Sequence, residues 1–353
     1  MDGPGKNISL FRRVNLIFRF SYTLTFFMAS VCGSLFAYLF FDNVPIHIVI
    51  LMPAVVLLLA IFVNFSNDYF DHRSGVDKSV AETRFQIDEE AMKVLESSKL
   101  LQKIYWEGNP FDDNLVTDRQ GKIIMAILII LSAALAIPII IYGGLIVIIF
   151  GAAGILLSYF YTAPPVNMGA RGLGEVNVAI SFFMLVFCSF YVATVNISGP
   201  DAVVLMNFFG TNIFTFAPGI FNIEIFVFAV IVGTLVGLMR LIDSLSGHEA
   251  HLAHGEKNIA VRIGIDGTVK VAKAFMVFVY VLAVLMAVFF NPVFVLLFLT
   301  LPIALKAWRI TTEKKELWRL LSPPLFFGNA FLTEMIFVIA IVVIRIFGIG
   351  SLL

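Results

Sequence analysis

A cluster of polar side chains closes an otherwise apolar stretch: Asn64-Phe-Ser-Asn67-Asp68-Tyr-Phe-Asp71-His-Arg73-Ser-Gly75-Val-Asp77. On a helix, Asn64, Asn67, Asp68 and Asp71 fall at i, i+3, i+4 and i+7 and share one face. Asp77 follows once Gly75 permits a turn. An Asp held deep in a membrane span costs roughly 2.5–3.5 kcal/mol, and less near the interface. Packing does not repay that cost, but a divalent cation does. Oxygen ligands with no Cys and no paired His suit a hard ion such as Mg2+, which completes its shell with water and phosphate oxygens. A diphosphate is therefore the natural ligand of this face. The plainer reading, a helix end capped by Asn and Asp among lipid headgroups, serves for one Asp but not for the whole face.

The elements that must position this face are membrane spans. Of 353 residues, 60% are hydrophobic and 14% charged, and Phe alone (37) outnumbers Asp and Glu together (24). An ordinary water-soluble domain carries nearer a quarter charged residues. Disordered, collagen-like and disulfide-built chains are excluded on the same figures. Lys+Arg and Asp+Glu balance at 24 each, so no charge excess points to nucleic acid. Cys32 and Cys188 lie in apolar runs, away from any disulfide framework. The N-terminal MDGPGKNISLFRR is not read as a removable signal peptide.

A span needs roughly 20 apolar residues to cross about 30 Å of hydrocarbon. Nine stretches answer to this: 21–41, 46–66, 122–142, 144–161, 174–195, 223–243, 270–290, 292–307 and 328–349. Turn signals at Tyr142-Gly143-Gly144 and Asn291-Pro292 divide the two longest apolar runs. Counting basic residues between spans tests the orientation. With the N-terminus cytoplasmic, of the 24 Lys and Arg only Arg345 falls toward the outer side, and the long outer loop 196–222 holds none. The expected fold class is all-α: a polytopic membrane protein of nine transmembrane helices around a central cavity open to the cytoplasmic face. It forms one domain over 1–353, with a polar insertion at 82–115 in which 87–105 has helical spacing. The expected location is the cell membrane, multi-pass, with the lipid bilayer as partner.

Three polar segments on the cytoplasmic side carry most of the remaining chemistry. The first is the Asn64–Asp77 face. The second is Tyr161-Thr-Ala-Pro-Pro165 followed by Arg171-Gly-Leu-Gly-Glu175. The third is Gly255-Glu-Lys257-Asn-Ile-Ala-Val-Arg262-Ile-Gly264. In this order the three resemble the first Asp-rich motif, the loop between spans four and five, and the segment after the second Asp motif of UbiA-type intramembrane prenyltransferases. Within that family they look most like the menaquinone branch, the 1,4-dihydroxy-2-naphthoate prenyltransferases. The resemblance covers most of the chain outside 82–115 and the outer loop.

The match fails at the second Asp motif, where the family usually reads N-N-x-R-D-x-E-x-D. This chain has Asp243 and Ser244 at the two Asn positions, and Gly247 and His251 at the two aspartates; Glu249 alone is retained. Three readings stay open. Asp243, Glu249 and His251 form a rearranged second metal site; or that metal is absent and His251 or Lys257 meets the phosphate directly; or the chain no longer catalyses. His248, His251 and His254 lack the Cys partners that would make a zinc reading specific.

The resemblance implies that Asn67, Asp68 and Asp71 hold Mg2+ against a polyprenyl diphosphate, with Asp77 assisting and Asn64 on the same face. Asp243 and Glu249 would serve a second ion. Arg73, Lys257 and Arg262 are candidate phosphate contacts. Arg171 would bind an acceptor carboxylate and Tyr161 would stack on its ring; the plainer reading makes Arg171 an ordinary positive-inside residue. The implied activity is Mg2+-dependent transfer of a polyprenyl group to a small aromatic acceptor, 1,4-dihydroxy-2-naphthoate, in quinone-type lipid synthesis. The rivals are transfer to another acceptor, such as an archaeal glycerol-phosphate lipid, and a non-catalytic isoprenoid binder.

Overall fold

The computed structural model describes residues 14–15, 17–74, 109–162, 165–169, 171–197, 203–208, 211–216, 220–253, 255–314 and 318–349. In chain order the helices are α1 (Phe20–Phe40), α2 (Ile46–Ser74), α3 (Asp118–Gly143), α4 (Leu145–Thr162), α5 (Gly174–Thr194), α6 (Ile223–Ser246), α7 (His248–Ala253), α8 (Ile259–Leu285), α9 (Leu301–Glu313) and α10 (Trp318–Phe347). A π turn, Met286–Phe290, extends α8, and a 3-10 helix, Pro292–Thr300, leads into α9. Among the described residues, eight helical segments are long and apolar enough to cross a membrane. The remaining expected span, Leu145–Tyr161, is apolar but shorter and covers about 25 Å at ~1.5 Å per residue. The expected breaks are present. Gly144 takes φ +66° after α3, and Asn291 caps the 3-10 helix by accepting the Val293 N–H.

One element departs from an all-helical chain. Val203–Phe208 and Thr211–Phe216 pair as an antiparallel hairpin within the loop between α5 and α6. Its backbone sits beside α3 and α4. The loop alternates β-branched and aromatic residues around Gly210, a pattern that favours paired strands over an open loop.

The core lies along α6, which packs against α5, α8 and α10. Some 61% of its apolar window is buried, against 17% for α3, so α6 is central and α3 turns most of its surface outward. Phe337 of α10 stands at the middle of the aromatic core, with ring centroids of Phe36, Phe228 and Phe294 at 6.3, 3.5 and 5.6 Å. Helices α1 and α5 run parallel: Phe26 meets Phe182, Ser30 hydrogen-bonds Ser189 at 2.8 Å, and Phe36 meets Phe190. Their backbones approach so closely that a Cβ on Gly33 would lie 2.1 Å from the Val186 carbonyl oxygen. The parallel pairing puts the start of α1, the start of α5 and therefore Arg19 and Glu175 at one end of the bundle.

Helix α2 continues past the expected end of its span, 66, to Ser74. It carries the whole Asn64–Asp71 face as regular helix. The segment 109–118 folds back onto this extension. Phe65, Tyr69, Phe111 and Val116 form a small separate core there, and a capping box between Thr117 and Gln120 starts α3 immediately after it. Asp77 and residues 82–108 of the expected insertion lie outside the described residues.

Candidate functional site

Asp68 is fully buried, and its carboxylate is gripped by Arg19: Nε donates to Oδ2 at 3.0 Å and Nη2 lies 2.6 Å from Oδ1. Arg19 sits immediately before α1 in left-handed conformation (φ 46°, ψ 44°). Its carbonyl accepts the N–H groups of Tyr22 and Thr23, so the strained residue is held by the helix it begins. The Asp68 carbonyl accepts Asn109 Nδ2 at 2.8 Å. One turn away, Asn67 Nδ2 donates to Asp71 Oδ2 at 2.7 Å. Asn67 Oδ1 and Asn64 Nδ2 are buried without a hydrogen-bond partner among the described residues. Such groups are rare, because an unmade bond costs about 1–3 kcal/mol.

That donor set fits a hard cation. Asn67 presents a bare amide oxygen beside the Asp71 carboxylate, and Asp68 stands on the same turn. Among the described residues no three His, Cys, Asp or Glu side chains gather closely enough to hold a metal alone. An ion here would rely on an amide oxygen, one or two carboxylates, and oxygens from water and phosphate, as Mg2+ does. The helix end is clamped from the other side: His72 Nδ1 meets Asp112 Oδ1 at 2.6 Å, and its ring stacks on Phe111. Arg73 is exposed and leans on Tyr69, with Nη1 3.4 Å from the phenol oxygen.

The α4–α5 loop forms the second part of the site. Gly169 N–H donates to the Tyr161 carbonyl, and the N–H groups of Arg171 and Leu173 both donate to the Met168 carbonyl. Gly172 takes φ +83°, and a Cβ there would lie 2.4 Å from the Lys257 carbonyl oxygen, so only glycine lets the two loops meet. Arg262 fastens them: Nε donates to the Lys257 carbonyl at 2.7 Å and Nη2 to the Arg171 carbonyl at 2.6 Å. The side chains of Arg171 and Lys257 are exposed.

Beneath these loops lies a charged cluster. The Arg240 guanidinium bonds the Asp243 carboxylate one turn on and stands 5.9 Å over the Tyr161 ring. Tyr161 and Arg240 each interact electrostatically with Glu175 and with Asp243. Glu175 is 6% exposed, and neither carboxylate oxygen has a hydrogen-bond partner among the described residues. His251 Nδ1 lies 2.9 Å from Glu256 Oε2. Burial pushes the Glu256 carboxyl up, but the bond and charge of His251, the charge of Arg240 and the Asn258 amide outweigh it and hold it below its ordinary value. Glu249 turns elsewhere, to Arg319 of α10. The three expected ligands of a second metal thus go to three partners: Asp243 to Arg240, Glu249 to Arg319, His251 to Glu256.

Arg19, Arg240, Glu256 and Arg319 were not singled out by sequence reasoning, and Glu175 was noted only as part of a motif. Arg240 carried a usable signal: a charge inside an apolar span with Asp243 at i+3. Arg19 and Arg319 read as ordinary basic residues flanking spans.

The profile of the UbiA prenyltransferase family matches residues 25–331. The chain belongs to this family. Among curated proteins no sequence matches the chain. Solved structures share the UbiA fold at low identity. A UbiA homologue from Aeropyrum pernix K1, solved without ligand, has TM-score 0.59 and 15% identity, covering 92% of this chain and 98% of its own. A homologue from Archaeoglobus fulgidus, solved with GPP and Mg2+, has TM-score 0.56 and 12% identity, covering 95% and 99%. A digeranylgeranylglyceryl phosphate synthase has TM-score 0.56 and 14% identity, covering 94% and 98%. As a UbiA-family chain with eight helical segments among the described residues long and apolar enough to cross a membrane, the protein is a multi-pass membrane prenyltransferase.

Proposed function

We propose that this protein transfers a polyprenyl group from a prenyl diphosphate to a small aromatic acceptor, 1,4-dihydroxy-2-naphthoate, at the cytoplasmic face of the cell membrane. The observation that carries the reading is the bare, buried Asn67 Oδ1 beside Asp71 on the Asn64–Asp71 face. Asn67, Asp68 and Asp71 would hold Mg2+, with Asp77 assisting. An ion held by these residues would supply the positive charge that a departing diphosphate needs. Two of Arg19's donors already hold Asp68, so it keeps the carboxylate turned inward. Arg73, Lys257 and the outer edge of the Arg262 guanidinium would bind phosphate oxygens, while Arg262 also keeps the two loops together. Asn64 would order the face one turn deeper.

On the acceptor side, the exposed Arg171 suits a carboxylate, and Tyr161 offers its ring. Asp243 and Glu249 would have to exchange a guanidinium for a second ion, so the reading puts the metal's weight on the first motif. A second acceptor, a glycerol-phosphate lipid, is suggested by the fold shared with digeranylgeranylglyceryl phosphate synthase. The test is purified protein in nanodiscs with Mg2+, radiolabelled long-chain prenyl diphosphate and both acceptors. A labelled lipid formed only with the naphthoate is expected. Product only with the glycerol phosphate would move the acceptor class, and no product with either would overturn the reading.

A further inference from the structure

Glu175 is the least explained charged group at this end of the bundle. It lies in the first turn of α5, where a carboxylate gains from the helix dipole by about 0.3–1 kcal/mol. That gain does not account for a buried carboxylate with both oxygens bare, which costs several times as much. Its backbone is fixed from behind, since a Cβ on Gly237 of α6 would meet the Glu175 carbonyl oxygen at 3.3 Å and Ala179 Cβ at 2.9 Å. A Cβ on the preceding Gly174 would touch the Tyr161 ring at 3.4 Å, Arg240 stands over that ring, and both Tyr161 and Arg240 interact with the Glu175 charge. Arg240 already spends its charge on Asp243 and also acts on Glu256. Arg240 thus answers three carboxylates, Glu175, Asp243 and Glu256, and bonds only Asp243 among them. The carboxylate of an acceptor is therefore left to the exposed Arg171 and turned away from Glu175. Glu175 accepts a neutral hydrogen-bond donor, and two bare carboxylate oxygens are what a hydroxyl needs.

We infer that Glu175, beside Tyr161 and Arg240, binds the hydroxyl of a phenolic acceptor and takes its proton as the prenyl group is transferred. This rests on the prenyl-transfer reading and names the acceptor chemistry within it. The acceptor O–H bond breaks with its electron pair left on oxygen, and the proton passes to a Glu175 carboxylate oxygen. The ring carbon made electron-rich forms a bond to prenyl C1, as the C1–O bond breaks with its pair on the diphosphate. The ring then regains aromaticity by losing its proton to water, while Glu175 returns its proton to the oxygen. No oxidant or reductant is needed.

The full chain in nanodiscs tests this in two ways. With Mg2+, prenyl diphosphate and 1,4-dihydroxy-2-naphthoate, Glu175→Gln should lower kcat by at least about 100-fold, the range for losing a general base. Its affinity for prenyl diphosphate should stay within about twofold, and Glu175→Asp should recover part of the rate. Separately from turnover, the wild type should bind 1,4-dihydroxy-2-naphthoate at least about tenfold tighter than its dimethyl ether, and Glu175→Gln should erase that preference. Equal binding of hydroxyl and ether by the wild type overturns the site, as does a Glu175→Gln rate within about threefold of wild type. If both variants lose diphosphate affinity and thermal stability together with rate, Glu175 is structural and the inference fails. An inactive wild type with a Glu175-dependent hydroxyl preference would instead sink the transfer reading and leave this site standing.

Discussion

The two polar regions flanking the bundle's end both give their carboxylates partners, but they differ in what they leave unpaired. At the end of α2, four polar residues keep to one helix face, and two of them retain bare buried atoms. At the end of α6 and in α7, Asp243, Glu249 and His251 are each consumed by a separate partner. In the first region Arg19 holds Asp68 and Asn67 holds Asp71, yet two amide atoms keep no partner among the described residues; in the second, each charge is closed on its own partner. The difference comes from chain geometry. Helix α2 stays regular through Ser74, whereas α6 ends at Ser246 and α7 restarts at His248, so Gly247 breaks the face that the second set would need.

The comparison is most exposed at Asp71. Asp71→Ala should remove turnover by about three orders of magnitude or more while the protein still folds; a purified variant with near-normal activity would end the metal assignment. Next in size is Arg19→Gln, which takes the guanidinium away from the buried Asp68 carboxylate. Breaking one side of a buried pair costs about 3–5 kcal/mol. The variant should therefore melt lower than wild type without Mg2+, and Mg2+ should raise its melting temperature by more than it raises that of the wild type. An equal Mg2+ shift in both proteins would show that the ion does not reach Asp68.

Smaller effects are expected in the second region. Glu249→Gln parts a pair whose side chains are 35% and 23% exposed, so the stability loss should be about 1 kcal/mol and activity should change only a few-fold. A hundred-fold loss of rate would instead make Glu249 a working ligand. The smallest effect concerns acid stability. Glu256 is held below its ordinary value of 4.5. Its contribution is therefore complete above about that pH and is lost as pH falls through the lower folded value. His251→Ala should weaken this, giving a variant whose stability falls less steeply below pH 4.5 in acid melts.

Composition, the apolar runs and the i, i+3, i+4, i+7 spacing were enough to read a helical membrane protein, the position of its breaks and the polar face of α2. Local periodicity and hydrophobic length dictate these, and neither needs a distant residue. The short fourth helix and the hairpin between α5 and α6 were less legible, since span length near the threshold and pairing within a loop depend on what lies alongside. The partners of the charges could not be read at all. Arg19 reaches Asp68 across 49 positions, Arg319 reaches Glu249 across 70, and Arg262 reaches the Arg171 carbonyl across 91. Those distances close because the fold brings the start of α1 to the end of α2, α10 to α7, and the start of α8 to the α4–α5 loop. Which carboxylates stay bare and which are neutralised follows from that packing, because a charge near a membrane settles on whichever opposite group the fold brings within reach.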